Sequence, residues 1–131
     1  MPFSLPVTAI FSLIFTVLIL ALSYQVVYWR RKLRVGYGSA GKQQLQQAIS
    51  AHSNAIENLP LAMILFLMLE LQGVTGLILM ITGSLLVFSR LIHAYGLSNS
   101  IYVSFGRTYG TMITWFVMVF MAVLNVIYAF N

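Results

Sequence analysis

From Leu5 to Trp29 the chain carries no charged residue, and this stretch limits the possible folds more than any motif does. A helix that crosses the hydrocarbon core of a bilayer needs roughly 20 mainly apolar residues, because no water is present there to satisfy a bare backbone. Three more apolar segments follow, from about Asn58 to Leu71, Val74 to Phe88 and Thr111 to Phe130. The last is long enough unaided. The segment ending at Leu71 is short, but Gln43 to Glu57 favours helix and spaces Leu45, Ala48, Ile49 and Ile56 helically. One long helix from about Lys42 to Leu71 is expected, with its polar first half projecting beyond the lipid. The next helix is expected to continue through Arg90 and His93 to about Tyr95. Gln72 to Gly76 reads as a tight turn, and Gly36 to Gly41 and Gly96 to Ser100 read as the other loops. The sequence therefore predicts an all-α integral membrane protein. It is a single four-helix transmembrane domain over residues 1–131, with spans near 5–29, 43–71, 74–95 and 108–130.

Composition agrees. Hydrophobic residues make up 60% of the chain and charged residues 7%, with a mean hydropathy of +0.93. A soluble domain is about one-quarter charged. Cysteine is absent, which excludes disulfides, thiolate metal sites and a cysteine nucleophile. Two histidines and two acidic residues are too few to suggest a protein-built metal centre. No aspartate is present, so no Ser-His-Asp triad can be assembled.

All seven basic residues fall on one side of the expected topology. Arg30, Arg31, Lys32, Arg34 and Lys42 lie between the first two spans, and Arg90 and Arg107 flank the connection between the last two. The positive-inside rule puts both long connections in the cytoplasm and both termini outside it. No basic residue precedes the first apolar run and the basic cluster follows it, so a retained span is expected in place of a cleaved signal peptide. Basic residues at helix ends, Lys32 and Lys42 among them, ordinarily set topology and meet anionic headgroups. No basic stripe with interleaved aromatics lies on a soluble module, which argues against nucleic acid as a partner. Gly36-Tyr37-Gly38-Ser39-Ala40-Gly41 matches a dinucleotide fingerprint in letters only. That fingerprint needs a preceding strand, and here an Arg-rich helix end precedes it. The segment reads as a flexible cytoplasmic loop, with weak phosphate cradling as the lesser alternative.

The polar residues near the basic side form a constellation. Glu57 sits where a helix enters lipid, and an ionisable residue there marks a functional site by default. Asn54 shares its face and Ser50 lies one turn back. Arg30 and Arg34 close the first helix, His52 accompanies Asn54 and Glu57, Arg90 and His93 are three apart, and Arg107 with Thr108 opens the fourth helix. An anionic ligand with an amino group would suit this set: arginines for carboxylates, Glu57 for an ammonium, Asn54 for an amide. The alternative is an internal network in which Glu57 pairs with Arg30 or Arg90 to neutralise charge near lipid. His93 alone reads as a helix-end histidine bonded to a neighbour.

The pattern resembles the MAPEG family, the membrane-associated proteins in eicosanoid and glutathione metabolism. The resemblance rests on Arg30-Arg31-x-x-Arg34-Val35, on Ala51-His52-x-Asn54-x-x-Glu57-x-x-Pro60 and on Arg90-x-x-His93. It extends over nearly the whole chain, and the length and the Arg34 to Gly38 stretch look most like the short bacterial members. It implies a homotrimer of four-helix bundles with glutathione bound between subunits near the cytoplasmic surface. Carried over, Arg30, Asn54, Glu57 and Arg90 hold the tripeptide or shape its pocket, with Arg34, His52 and His93 near it. Arg107, followed by Thr108, takes the catalytic place and stabilises the glutathione thiolate. That thiolate attacks a lipophilic electrophile or reduces a hydroperoxide. Two departures stand out: the better-known synthases carry an arginine where this chain has Ser50, and a tyrosine near Leu97, for which Tyr95 or Tyr102 is the local substitute.

The resulting expectation is a glutathione S-transferase or glutathione peroxidase of a bacterial inner membrane, with its site facing the cytoplasm. Its partners would be membrane lipids, a lipophilic substrate and further copies of itself. One alternative is a non-catalytic family member that binds a lipid or an anionic metabolite, and Ser50 is the feature in its favour. Another is a small multidrug exporter, which needs an acidic residue deep in a span. The first span has none, while Glu57 and Glu70 lie near span ends.

Overall fold

The computed structural model describes residues 4–99 and 104–130, with side chains assigned outside 97–99. It contains α1 (Pro6–Leu33), α2 (Gln43–Leu71), α3 (Gly76–Asn99) and α4 (Phe105–Ala129). All four are long and apolar enough to cross a membrane. α1 and α2, with 28 and 29 residues, are each over 40 Å long, against a hydrocarbon core of about 30 Å. α3 reaches Asn99, so Gly96 to Asn99 belong to the helix and not to the loop that the glycine suggested. Ser100 and Tyr102 lie outside the described residues.

α2 and α3 each touch the other three helices, while α1 and α4 do not meet among the described residues. The buried face of α2 shows how it does so. Leu45, Ala48, Ala51, Ala55, Leu59, Ala62, Phe66 and Leu69 repeat at intervals of three and four, the seam of helices packed nearly parallel. Four of the eight are alanines, which lets neighbouring backbones approach closely. Pro60 lies within α2 on an exposed face, and the helix continues through it. Phe11 and Phe15 of α1 complete this core; the Phe11 ring packs edge-on to Phe66, with centroids 5.4 Å apart.

α3 and α4 pack most tightly, and glycine is the reason. A Cβ on Gly110 would lie 2.7 Å from the Ser89 carbonyl oxygen, and one on Gly106 would lie 2.6 Å from that of Ile92. These are backbone atoms that cannot rotate away. Gly83 makes similar room for the Phe11 ring, whereas Gly73 and Gly76 face open space.

The end of the bundle opposite the basic residues is held by two polar clamps. α1 has no N-cap side chain of its own. Glu70, near the end of α2, supplies the cap: its Oε1 accepts from the Val7 amide at 3.0 Å and its Oε2 from the Thr8 amide at 2.6 Å. A carboxylate is unfavourable at the C-terminus of its own helix but favourable at the positive end of another. Asn125 of α4 donates to the Leu65 carbonyl at 3.0 Å and accepts from the Gln72 amide at 3.2 Å, which joins α2 to α4.

Removing Glu70 deletes two charge-assisted bonds, so Glu70→Ala is expected to cost about 1–3 kcal/mol. Amide exchange at Val7 and Thr8 should quicken markedly in that variant and less in Glu70→Gln, which keeps one acceptor oxygen. Unchanged exchange in Glu70→Ala would remove the clamp from this account.

Candidate functional site

The basic end is organised around Arg90. Its side chain comes from α3 and is only 2% exposed, within the closely packed α2–α3–α4 wall. Nη2 donates to Asn54 Oδ1 of α2 at 2.6 Å and lies 3.2 Å from His93 Nδ1, one turn along α3. With the guanidinium as donor, the histidine accepts at Nδ1 and carries its proton on Nε2. Nη1 donates to Thr114 Oγ1 of α4 at 3.4 Å. Thr114 in turn donates to the Gly110 carbonyl at 2.8 Å and lies 2.9 Å from Ser89 Oγ. Arg90 Nε is buried with no partner. Among the described residues no carboxylate pairs with this cation.

Each helix contributes for a local reason. The α2 alanines bring Asn54 close to α3, and Asn58 donates back to the Asn54 carbonyl at 2.8 Å across one turn. The Gly106 and Gly110 contacts bring α4 against α3 closely enough for a hydroxyl as short as that of Thr114 to reach Arg90. Ser89 and Thr114 are the members that sequence reasoning missed. Both are small hydroxyl residues inside apolar runs, and only their place on the α3–α4 interface distinguishes them.

The other sequence-derived residues lie differently. Arg30 donates through Nη1 to the carbonyls of Val35, at 3.4 Å, and Gly38, at 3.0 Å, so it ties the glycine loop to the end of α1. That loop therefore turns the Gly38 carbonyl towards a cation. Arg34 ends α1 in the left-handed conformation, with φ 56°. Glu57 is exposed and makes no ion pair among the described residues. The internal pairing of Glu57 with Arg30 or Arg90 is thus absent: Arg30 turns to its own loop and Arg90 to Asn54. His52 is half-buried, and Tyr95 is exposed on α3.

Arg107 occupies the first turn of α4. Ser104 caps that helix by accepting from the Arg107 amide at 3.3 Å. The Arg107 and Thr108 side chains are exposed, and neither bonds another described residue. A Cβ on Gly96 would sit 2.7 Å from the Arg107 amide nitrogen, so the start of α4 rests against α3 one turn beyond His93. A guanidinium at the positive end of a helix dipole attracts anions. The end of the bundle thus combines a braced buried cation, an exposed cation and an exposed carboxylate.

Comparison with known proteins gives two findings. The MAPEG family profile matches residues 8–127. The inner membrane protein YecN of Escherichia coli strain K12 is 34% identical over 122 residues, covering 93% of this chain and 92% of that protein. The YecN of Escherichia coli O6:H1 strain CFT073 matches to the same extent.

If Thr114 braces Arg90, the two side chains are energetically coupled. Thr114→Val should cost about 1–3 kcal/mol in the wild-type background and clearly less in Arg90→Met, as read from detergent unfolding titrations of the four-member cycle. Additive costs would show that Thr114 acts only through its other contacts.

Proposed function

The chain belongs to the MAPEG family, and on that premise we propose that it is a glutathione-dependent enzyme of a bacterial inner membrane. It would transfer glutathione to lipophilic electrophiles or use it to reduce lipophilic hydroperoxides. The observation that carries the reading is Arg90, a buried guanidinium whose partners among the described residues are all neutral. Isolated charge inside a bundle costs several kcal/mol, and such a group is kept where an anion is to be met. Glutathione offers two carboxylates and one ammonium. Arg90, Arg34 and Arg107 match the carboxylates and thiolate in charge, Glu57 matches the ammonium, and the exposure of Arg34, Glu57 and Arg107 leaves them available. Arg30, His52 and Tyr95 enter the same proposal as further contacts of the ligand. The family's trimeric assembly, both termini outside the cytoplasm and a cytoplasm-facing site belong to the same proposal.

In this reading Arg107 is the catalytic residue. A guanidinium beside sulfur favours the anion, which is the nucleophilic form, and the dipole of α4 acts in the same direction. Thr108 can donate its hydroxyl to the same sulfur. The thiolate then attacks an electrophilic carbon, forming a carbon–sulfur bond while that carbon's bond to a leaving group breaks and the leaving group takes the electron pair and a proton. With a hydroperoxide it attacks the terminal oxygen, the O–O bond breaks, and the alkoxide leaves as the alcohol after protonation; a second glutathione then reduces the glutathione sulfenic acid so formed, giving the disulfide and water. Substrate from the acyl region of the bilayer reaches such a site without crossing water.

A non-catalytic role as a receptor for an anionic metabolite is favoured by one feature, Ser50. Its hydroxyl, 3.5 Å from Gln46 Nε2, stands where the better-known synthases place an arginine.

Arg107→Ala separates the two readings. Wild-type protein mixed with glutathione near neutral pH is expected to show thiolate ultraviolet absorbance, and the variant should lose it while still binding the tripeptide. Absorbance unchanged in Arg107→Ala would remove Arg107 from the chemistry; binding without thiolate in the wild type would favour the receptor.

A further inference from the structure

A long apolar groove between α3 and α4 plays no part in the site above. It is made of three cavities that share or adjoin Leu85. One, of about 320 Å³, lies between Ile81, Thr82 and Leu85 of α3 and Phe116, Val117 and Phe120 of α4. A second, of about 420 Å³, continues along Phe88 and Met112 towards the basic end, and a third, of about 450 Å³, opens over Ser84. Glycine explains where the groove begins. Gly106 and Gly110 bring the α4 backbone against α3, but α4 has no glycine beyond Gly110. From there the size of the facing side chains sets the helix spacing, and Leu85, Phe116 and Phe120 leave a furrow on the exposed flank.

The walls and the depth of the groove identify its occupant. No charged side chain lines any of the three cavities. Thr82 is buried at the floor and gives its hydroxyl to the Ile78 carbonyl at 2.7 Å, so it offers a ligand no free donor. A cavity with such walls stays dry. Ile78 to Phe88 covers about 15 Å of α3, half of a hydrocarbon core of about 30 Å. That stretch begins just after Gly76, where α3 starts beside the Glu70 end, so it crosses the leaflet opposite the basic residues. A second copy of the chain has the wrong shape for it. Membrane helices approach one another through small residues, whereas Ile81, Leu85, Phe116 and Phe120 stand on the rim, each at least 43% exposed. A helix about 10 Å across would rest on that rim and leave the floor empty, whereas a methylene chain reaches it.

We infer that this groove binds one unbranched acyl chain of a membrane phospholipid from the leaflet at the Glu70 end, whatever its headgroup. The chain lies on Thr82 and Val117, between Leu85 and Phe116, and makes the dispersion contacts that a void would forfeit. With no charge on the walls, headgroup charge adds nothing to selection. The inference is independent of the glutathione reading.

Native mass spectrometry of the detergent-purified protein, supplied with either phosphatidylglycerol or phosphatidylcholine, measures the occupancy. The wild type should retain one phospholipid per chain from either lipid. Leu85→Trp and, independently, Ile81→Trp fill the groove from its exposed rim and should retain roughly tenfold less, the factor that two displaced methylenes are worth. Leu91→Trp adds the same kind of bulk at an exposed position of α3 outside the three cavities, and should retain as much as the wild type. Helix content by circular dichroism should be the same in all four proteins. No lipid on the wild type, undiminished retention in both filled variants, or retention of phosphatidylglycerol alone would overturn the proposal. Loss of the wild-type oligomeric state in the filled variants alone would overturn it as well, and would give the groove to a second copy of the chain.

Discussion

A guanidinium enclosed by apolar helices must find its polar partners inside the bundle, and Arg90 draws them from three of the four helices. Asn54 comes from α2, His93 from α3 and Thr114 from α4. Each hydrogen bond to a charged group contributes about 1.5–3 kcal/mol, against a desolvation cost of several kcal/mol for the ion. The balance depends on every partner being close. The alanine seam of α2 and the glycine contacts of α3 with α4 are therefore conditions for the site as well as features of the packing. A methyl group on Gly110 would push apart the two helices that Thr114 must bridge.

The two ends of the bundle solve different electrostatic problems. At one end Glu70 meets the positive terminus of α1 and Asn125 joins α2 to α4, while Thr8 Oγ1 and Gln72 Oε1 are buried there without a partner among the described residues. At the other end the polar groups exceed what folding uses. Arg34, Glu57, Arg107 and Thr108 remain exposed, and the Nε of Arg90 remains unpaired. The chemistry proposed above belongs to the basic end, which carries the exposed Arg34, Glu57 and Arg107.

Long apolar runs made the four helices readable in the sequence, because the need for a fully hydrogen-bonded backbone in lipid leaves few alternatives. Asn54, Arg90 and His93 could be grouped from helical spacing and membrane depth. What spacing could not convey was pairing. Glu57, the obvious partner for an arginine, faces outward, while neutral Asn54 takes the contact. Glu70 looked like an isolated charge because its partners are backbone amides 62 and 63 residues away. Thr114 and Ser89 carry no periodic signal, and Gly96 read as a loop residue although its role is close helix contact. Glycine marks a turn in water-soluble sequence and a tight crossing in membrane sequence, and the letters are the same.

The central claim is that Arg90 is kept as a buried cation for the carboxylates of a bound anion. Ligand-induced thermal stabilisation in detergent tests it directly, with reduced glutathione compared with its diethyl ester, in wild-type protein and in Arg90→Met. Reduced glutathione should raise the unfolding temperature of the wild type, and the diester should not. Arg90→Met should show no response to either compound, each read against that variant's own unliganded unfolding temperature. Equal stabilisation by tripeptide and diester, or a full response in Arg90→Met, would contradict the account.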